Sequence, residues 1–536
     1  MTRYPGRLHG AMGLACPSQA RGMTEMPVPN PVTHLAAHER FRARWVVVLG
    51  TCLLSAYLLV SAWWCLPIPC QDSQLFMGTA IRFAQGHGLT HPAYRYRGLD
   101  PAGVDRVVTY PPLFHWLVGS CMPSPDPRWA FVIVALMRGI QLFAWGWVFL
   151  KILESHRDQL GRWRAWLVLL LLFAIGGQSG NPMEGRPEAF VGMVQALTVV
   201  GLLRIRERWH PAVLGLALGV IGAAHPVAAI LSVALVTMYA GLRWRFLGAV
   251  RCLTVAGVIS AAIFLGVVSA SGLGVGAILN GMSRVVEPII VQAWGSLSNL
   301  LLSGRAPFCG MLILAGIAGA AAWYWRHRER CGCLWLAGAG WLLFVGAAWY
   351  FSLRAPARFY NAALFAPFYL AVLILLSLEA RTAWRGALRC IAVGCVVFGL
   401  GEVRYAATMA CAAARGVSFT TARSLVAGTL ARFPGAKIQV PNNGMILMDD
   451  YSRMQIECPE NVEDFCDSEL VLLLQSTWFD GSAALLTRGY VEVASTARWS
   501  GPSWLPAWSS GYYIRIYHRA PTSPAAATAM VRSGMP

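Results

Sequence analysis

Asp72, within Gln71-Asp72-Ser73, stands a few residues beyond an apolar run of bilayer length that begins at Trp45. The segment after it alternates apolar and polar residues, the pattern of a chain lying in a membrane interface. A carboxylate held there can deprotonate or orient an acceptor hydroxyl or amine. The plainer alternative is a solvated surface acid. Downstream, the pattern predicts a helix from Gln74 to Gln85, followed by Gly86-His87-Gly88 and, further on, Tyr110-Pro111-Pro112-Leu113. Asp100 and Asp105 are further acids in this stretch, but Gly98, Pro101 and Gly103 around them read as an exposed turn.

Two arginine-bearing motifs complete the set. Asn181-Pro182-Met183-Glu184-Gly185-Arg186-Pro187-Glu188 opens an apolar run, where ionisable groups are costly unless paired or functional. Arg186 there either pairs with Glu188 or Glu184, or meets a lipid phosphate. Arg354-Ala355-Pro356-Ala357-Arg358-Phe359-Tyr360 puts two guanidiniums together before a late apolar run. Guanidinium is a bidentate donor to phosphate oxygens, so Arg354 and Arg358 suit a phosphate ligand, with ordinary headgroups as the alternative. Arg138 lies inside an apolar run and reads as a structural brace.

The elements that must hold these groups are membrane helices. Of the 536 residues 56% are hydrophobic and 13% charged, against about 25% charged in a soluble domain. Apolar runs predict about eleven spans, at 45–66, 129–150, 163–179, 188–203, 211–224, 226–241, 249–270, 308–325, 334–352, 359–378 and 389–405. The 211–241 stretch is either one re-entrant element or two short helices, and His225-Pro226 favours a turn between two. Basic clusters at Arg40/Arg42/Arg44, Lys151/Arg157/Arg162/Arg164, Arg204/Arg206/Arg208, Arg243/Arg245/Arg251, Arg326/Arg328/Arg330 and Arg381/Arg385/Arg389 all fall on one side of that arrangement. The positive-inside rule makes that side cytoplasmic. The net charge of +19 is therefore a topology signal, and nucleic acid is excluded as a partner.

The expected fold is an α-helical polytopic membrane protein with a small C-terminal extracytoplasmic mixed α/β domain. Residues 1–39 read as a disordered cytoplasmic N-terminus, with Met23 and Met26 as alternative starts. Residues 40–405 form the transmembrane module, with a large first outer loop at 67–128. Residues 406–536 form the outer domain, with strand-like runs at 437–441, 470–475, 490–495 and 512–518. Its aromatic residues Trp499, Trp504, Trp508, Tyr512 and Tyr513 suit either sugar stacking or a β-domain core. Of the 14 cysteines, Cys65 with Cys70 and Cys458 with Cys466 are candidate disulfides or free thiols. Cys331 and Cys333 lack further ligands for zinc.

Asp72, the Gln85-to-Gly88 stretch, Tyr110-Pro111-Pro112-Leu113, Arg138, Arg186-Pro187-Glu188 and Arg354 to Tyr360 occur in an order that resembles the GT-C glycosyltransferases. Over residues 40–405 the chain looks like the protein O-mannosyltransferases and the aminoarabinose transferases of lipid A, the family 39 type. The resemblance implies an inverting transfer from a polyprenyl-phosphate sugar to a lipid, glycan or protein acceptor at the outer face of a bacterial inner membrane. Asp72 would be the general base. Arg186, Arg354 and Arg358 would bind the lipid phosphate, Glu188 would orient Arg186, and His87 would contact the sugar. A single acid stands where many relatives have an adjacent pair, so no metal ligand is assigned and a divalent cation is the one cofactor left open. The C-terminal domain matches no family pattern. Two other classes compete: a transporter or flippase of lipid-linked sugar, and a non-enzymatic envelope assembly protein. No repeat between the halves favours the transporter.

Overall fold

The computed structural model describes residues 31–91, 110–154, 160, 163–177, 185–278, 318–319, 321–353, 364, 366–379, 384–441, 444–456, 468–474, 481–496 and 511–519. The chain is mostly helical. In order come α1 (Pro31–Trp64), α2 (Gln71–Ala84), α3 (Leu113–Cys121), α4 (Pro127–Glu154), α5 (Trp163–Gly177), α6 (Pro187–Arg204), α7 (His210–Ala224), α8 (Pro226–Arg243) and α9 (Phe246–Ala270). After them come α10 (Leu334–Leu353), α11 (Ala366–Glu379), α12 (Trp384–Ala414), α13 (Phe419–Arg432) and the short α14 (Ser482–Thr487).

Among the described residues, Phe41–Trp64, α4, α6 and α9 are long and apolar enough to cross a membrane. The expected total of about eleven goes beyond those four, and most of the 308–325 stretch lies outside the described residues. The outward faces explain why lipid is the solvent. Leu53 is 64% exposed, Leu247 80% and Trp335 87%, a burden of bare apolar surface that water does not tolerate.

Several element ends differ from expectation, among them the start of α2, which lies at Gln71 rather than Gln74 and so takes Asp72 into its first turn. α1 already begins at Pro31, inside the segment expected to be disordered, because proline is well placed in a first helical turn and Leu35-Ala36-Ala37 propagates it. α12 runs on to Ala414, past the expected boundary at 405, because residues 406–414 are six alanines with Thr408, Met409 and Cys411. Gly416, at φ 66°, then ends it in the left-handed conformation that glycine adopts without strain. At His225-Pro226 the chain does break, separating α7 from α8. His225 is held extended at φ −154°, as a residue before proline is.

The C-terminal region holds a five-stranded mixed sheet of order β2-β1-β3-β5-β4, with β1 Ile438–Val440, β2 Met454–Ile456, β3 Leu470–Leu474, β4 Tyr490–Ser495 and β5 Ile514–Arg519. β1 pairs parallel with β2 and β3, while β5 pairs antiparallel with β3 and β4. The inner strands β1 and β3 are buried throughout, β3 as a continuous apolar run and β1 with Gln439 between Ile438 and Val440. β2 was not expected, since three residues carry no readable period and become a strand only beside β1. Trp499, Trp504, Trp508, Cys458 and Cys466 lie outside the described residues.

One buried apolar cluster runs from α1, α4 and α5 through α2 into the sheet. Tyr512 donates from its hydroxyl to the Cys65 carbonyl at 2.7 Å. That carbonyl belongs to the turn between α1 and α2, where Cys65 is at φ 49°, a strained value for a non-glycine residue. Gln74 bridges the same junction, donating to Pro69 O at 3.0 Å and accepting from Ile446 N–H at 3.1 Å. Segments flanking the strands of the C-terminal region therefore brace the helix that carries Asp72. Gln74→Ala strands two buried backbone groups and should cost about 1–3 kcal/mol. Thermal melting and limited proteolysis would show a lower midpoint and faster cleavage between α12 and β1; identical behaviour to wild type would remove the bridge from the docking.

Candidate active site

Asp72 and Arg186 are 114 positions apart in sequence and in direct contact in the fold. Asp72 lies in the first turn of α2, where the helix N-terminus favours a carboxylate. Arg186 is the N-cap residue of α6, with Pro187 in the first turn and Glu188 after it. Gly185 lets this strap press inward: a Cβ there would lie 2.6 Å from Met77 Cγ and 2.9 Å from Phe131 Cε1.

The guanidinium is held from two sides. Nη1 donates to Asp72 Oδ2 at 2.6 Å. Nη2 donates to Glu188 Oε1 at 2.8 Å, and Nε lies 3.2 Å from both Glu188 oxygens. The side chains of Arg186 and Glu188 are 3% and 0% exposed, whereas that of Asp72 is 48% exposed. A buried pair of this kind is worth keeping only with such geometry, because removing either partner leaves an uncompensated charge. Two carboxylates around one guanidinium leave negative charge, and its exposed end is Asp72. Half of the Asp72 side chain is open to the surroundings, and among the described residues its Oδ1 accepts no hydrogen bond.

Aromatic rings complete the enclosure. His225 accepts from Ala228 N–H through Nδ1 at 3.1 Å, which puts the imidazole's Nε2 3.4 Å from Glu188 Oε1. Tyr110, first residue of the Tyr-Pro-Pro-Leu motif, meets the His225 ring edge-on at 5.6 Å and that of Phe76 at 4.8 Å. Phe76 lies 6.0 Å from the Arg186 guanidinium and stacks on His115 at 5.6 Å. His115 donates from Nδ1 to the Phe76 carbonyl at 3.2 Å.

Burial pushes the pKa of His115 down to about 4, against the smaller opposing effect of the bond to Phe76. The fold thus holds the imidazole neutral while the unfolded chain protonates near pH 6.5. The unfolded state binds more protons between those values, so stability is full above about pH 6.5 and falls as pH drops towards 4. The loss amounts to roughly 3 kcal/mol at most. His115→Phe should flatten that part of the stability–pH curve; an unaltered slope would assign it to other groups.

Of the residues singled out by sequence, the structure brings together Asp72, Arg186, Glu188 and Tyr110. Arg186 is paired with Glu188 and, as a second partner, with Asp72. Arg138 is buried within α4, in line with a structural role. His87 is exposed beyond the far end of α2, about 20 Å along the helix axis from Asp72. Arg354, Arg358, Asp100, Asp105 and Glu184 lie outside the described residues. Cys65 and Cys70 are free thiols rather than a disulfide, since Cys70 is turned towards Ser73 Oγ at 3.1 Å. Sequence reasoning treated His225 only as a turn and passed over Phe76 and His115. The available signal was a histidine inside an apolar stretch, which is costly unless it has a partner.

Among the described residues no group of three or more His, Cys, Asp or Glu side chains is arranged to hold a metal ion. Asp72 and Glu188 do not fit a divalent cation as arranged, because the Arg186 guanidinium fills the space between them. No protein-family model matches the chain, and no curated protein matches it. Among solved structures it is similar to an oligosaccharyltransferase of Archaeoglobus fulgidus, crystallised with zinc and sulfate, at 14% identity and a TM-score of 0.39. The match covers 76% of this chain and 62% of that one. An overlay so loose carries no argument about chemistry, which must come from the side chains themselves.

Proposed function

We propose that this membrane protein is a glycosyltransferase that moves a sugar from a polyprenyl-phosphate donor to an envelope acceptor, with Asp72 as general base. The observation that carries the reading is a half-exposed carboxylate whose position is fixed by a buried guanidinium, itself fixed by a fully buried carboxylate. A solvated surface acid has no need of that scaffold.

The acceptor oxygen or nitrogen attacks the anomeric carbon while its proton passes to Asp72 Oδ1. The bond from that carbon to the phosphate oxygen breaks, the electron pair leaves with polyprenyl phosphate, and the anomeric configuration inverts. Arg186 orients Asp72, and Glu188 orients Arg186. With Arg186 engaged by two carboxylates, the lipid phosphate falls to Arg354 and Arg358, whose charge offsets that growing on the leaving group. His87 is too far along α2 to touch a sugar reacting at Asp72. Lipid, glycan and protein all remain acceptor classes within this proposal, and the transfer is assigned to the outer face of the inner membrane.

The test is transfer by the purified chain in lipid nanodiscs, offered radiolabelled polyprenyl-phosphate sugars and an envelope extract, with the anomeric configuration of the product determined. Inverted product from one donor supports the proposal. Binding of lipid-linked sugar without transfer to any acceptor would favour a transporter instead.

A further inference from the structure

The end of the bundle opposite Asp72 contains a second candidate site. A cavity of about 820 Å³ opens where the middle of α1, the C-terminal part of α4 from Phe143, the start of α5 and the end of α6 converge. It is separated from Arg186 by the full length of α6, about 27 Å. Among the described residues, the cationic side chains Arg44, Lys151, Arg164 and Arg204 line it, with Glu154 as the one carboxylate. Lys151 Nζ bonds Glu154 Oε2 at 2.8 Å. Arg204 is steadied by stacking over Trp147, its guanidinium 4.6 Å from the ring. The described lining thus carries three positive charges in excess.

The walls decide the ligand class. Val48, Phe143 and Leu203 line the same cavity and are 41%, 40% and 57% exposed. A soluble anion would satisfy the cations and leave those apolar faces bare. A phospholipid supplies both parts, a phosphate for the guanidiniums and acyl chains for the apolar walls. We infer that this cavity binds the headgroup and upper chains of an anionic phospholipid. Basic pockets between membrane helices recognise such headgroups through charge, and Arg44 and Arg204, both exposed, are the side chains best placed to reach one. This inference is independent of the transfer reaction.

The experiment is native mass spectrometry of the full chain, purified in detergent and titrated with phosphatidylglycerol or phosphatidylcholine. Wild type is compared with Arg44→Gln/Arg204→Gln and with Arg251→Gln/Arg328→Gln, which removes two basic residues from elsewhere on the surface. One phosphatidylglycerol should be retained in preference to phosphatidylcholine. The first double variant should lower that retention by about thirtyfold, roughly fivefold per arginine, and the second should leave it unchanged. Equal retention of the two lipids, or equal loss in both double variants, would overturn the site. So would stabilisation of the delipidated protein by inorganic phosphate to the same extent as by phosphatidylglycerol, since the cavity would then be a site for a free anion. Matching melting temperatures of the variants in detergent keep a folding defect from imitating lost binding.

Discussion

Asp72→Asn is expected to lower transfer by about 10²–10⁴-fold, the range removed with a positioned general base. The substitution keeps the shape of the side chain and an oxygen that accepts from Arg186 Nη1, so it removes proton acceptance with little else. Stability should hardly move. The Asp72 side of the ion pair is 48% exposed, and exposed pairs are worth about 0–1 kcal/mol. Arg186 also keeps its bonds to Glu188. The measurement is initial transfer rate in nanodiscs alongside thermal melting, with binding of the lipid-linked donor as a third readout. Donor binding and melting close to wild type, with transfer lost, is the expected combination. Wild-type transfer by the variant would reduce Asp72 to an ordinary surface acid held by its neighbour.

The second large effect concerns Glu188. Glu188→Ala leaves a guanidinium that is 3% exposed beside a cavity where its principal counter-charge had been. Breaking a buried pair by removing one partner costs about 3–5 kcal/mol, so the variant should melt well below wild type or fail to accumulate in membranes. A folding loss alone would not distinguish scaffold from catalyst. The double variant Arg186→Met/Glu188→Leu separates them, because replacing a whole buried pair by apolar side chains is often neutral. It should recover most of the stability and still transfer poorly, since Asp72 then has nothing to orient it. Full recovery of transfer in the double variant would show that Asp72 works without Arg186. Wild-type melting of Glu188→Ala would show that the pair does not hold the mouth of α6 together.

Composition and charge determined much by themselves. A chain that is 56% hydrophobic and 13% charged must dissolve in lipid, and the helices at Phe41–Trp64, α4, α6 and α9 were visible as apolar runs of about bilayer length. The break at His225-Pro226 followed from a local backbone rule. Four strands of the C-terminal sheet were readable as strand-like runs separated by Pro, Asn and Gly turn signals. Asp72, Arg186 and Glu188 stood out because ionisable groups beside apolar runs are expensive wherever the chain goes next.

Tertiary structure decided which of those groups meet. Nothing local to Arg186 specifies that Asp72, on a different helix, takes its Nη1 while Glu188 takes Nη2 and Nε. Sequence offered a lipid phosphate or an ion pair with Glu188 or Glu184, and only packing of the α6 strap against α2 showed Asp72 as a further partner. His225 joined the site because the break between α7 and α8 delivers its ring to Glu188. The turn at Cys65 is braced by Tyr512, 447 residues away. Periodicity and composition are properties of neighbours along the chain, whereas ion pairing depends on distances between helices that pack to exclude solvent. The residue types at this site were therefore legible in the sequence, and their partners became so only in the fold.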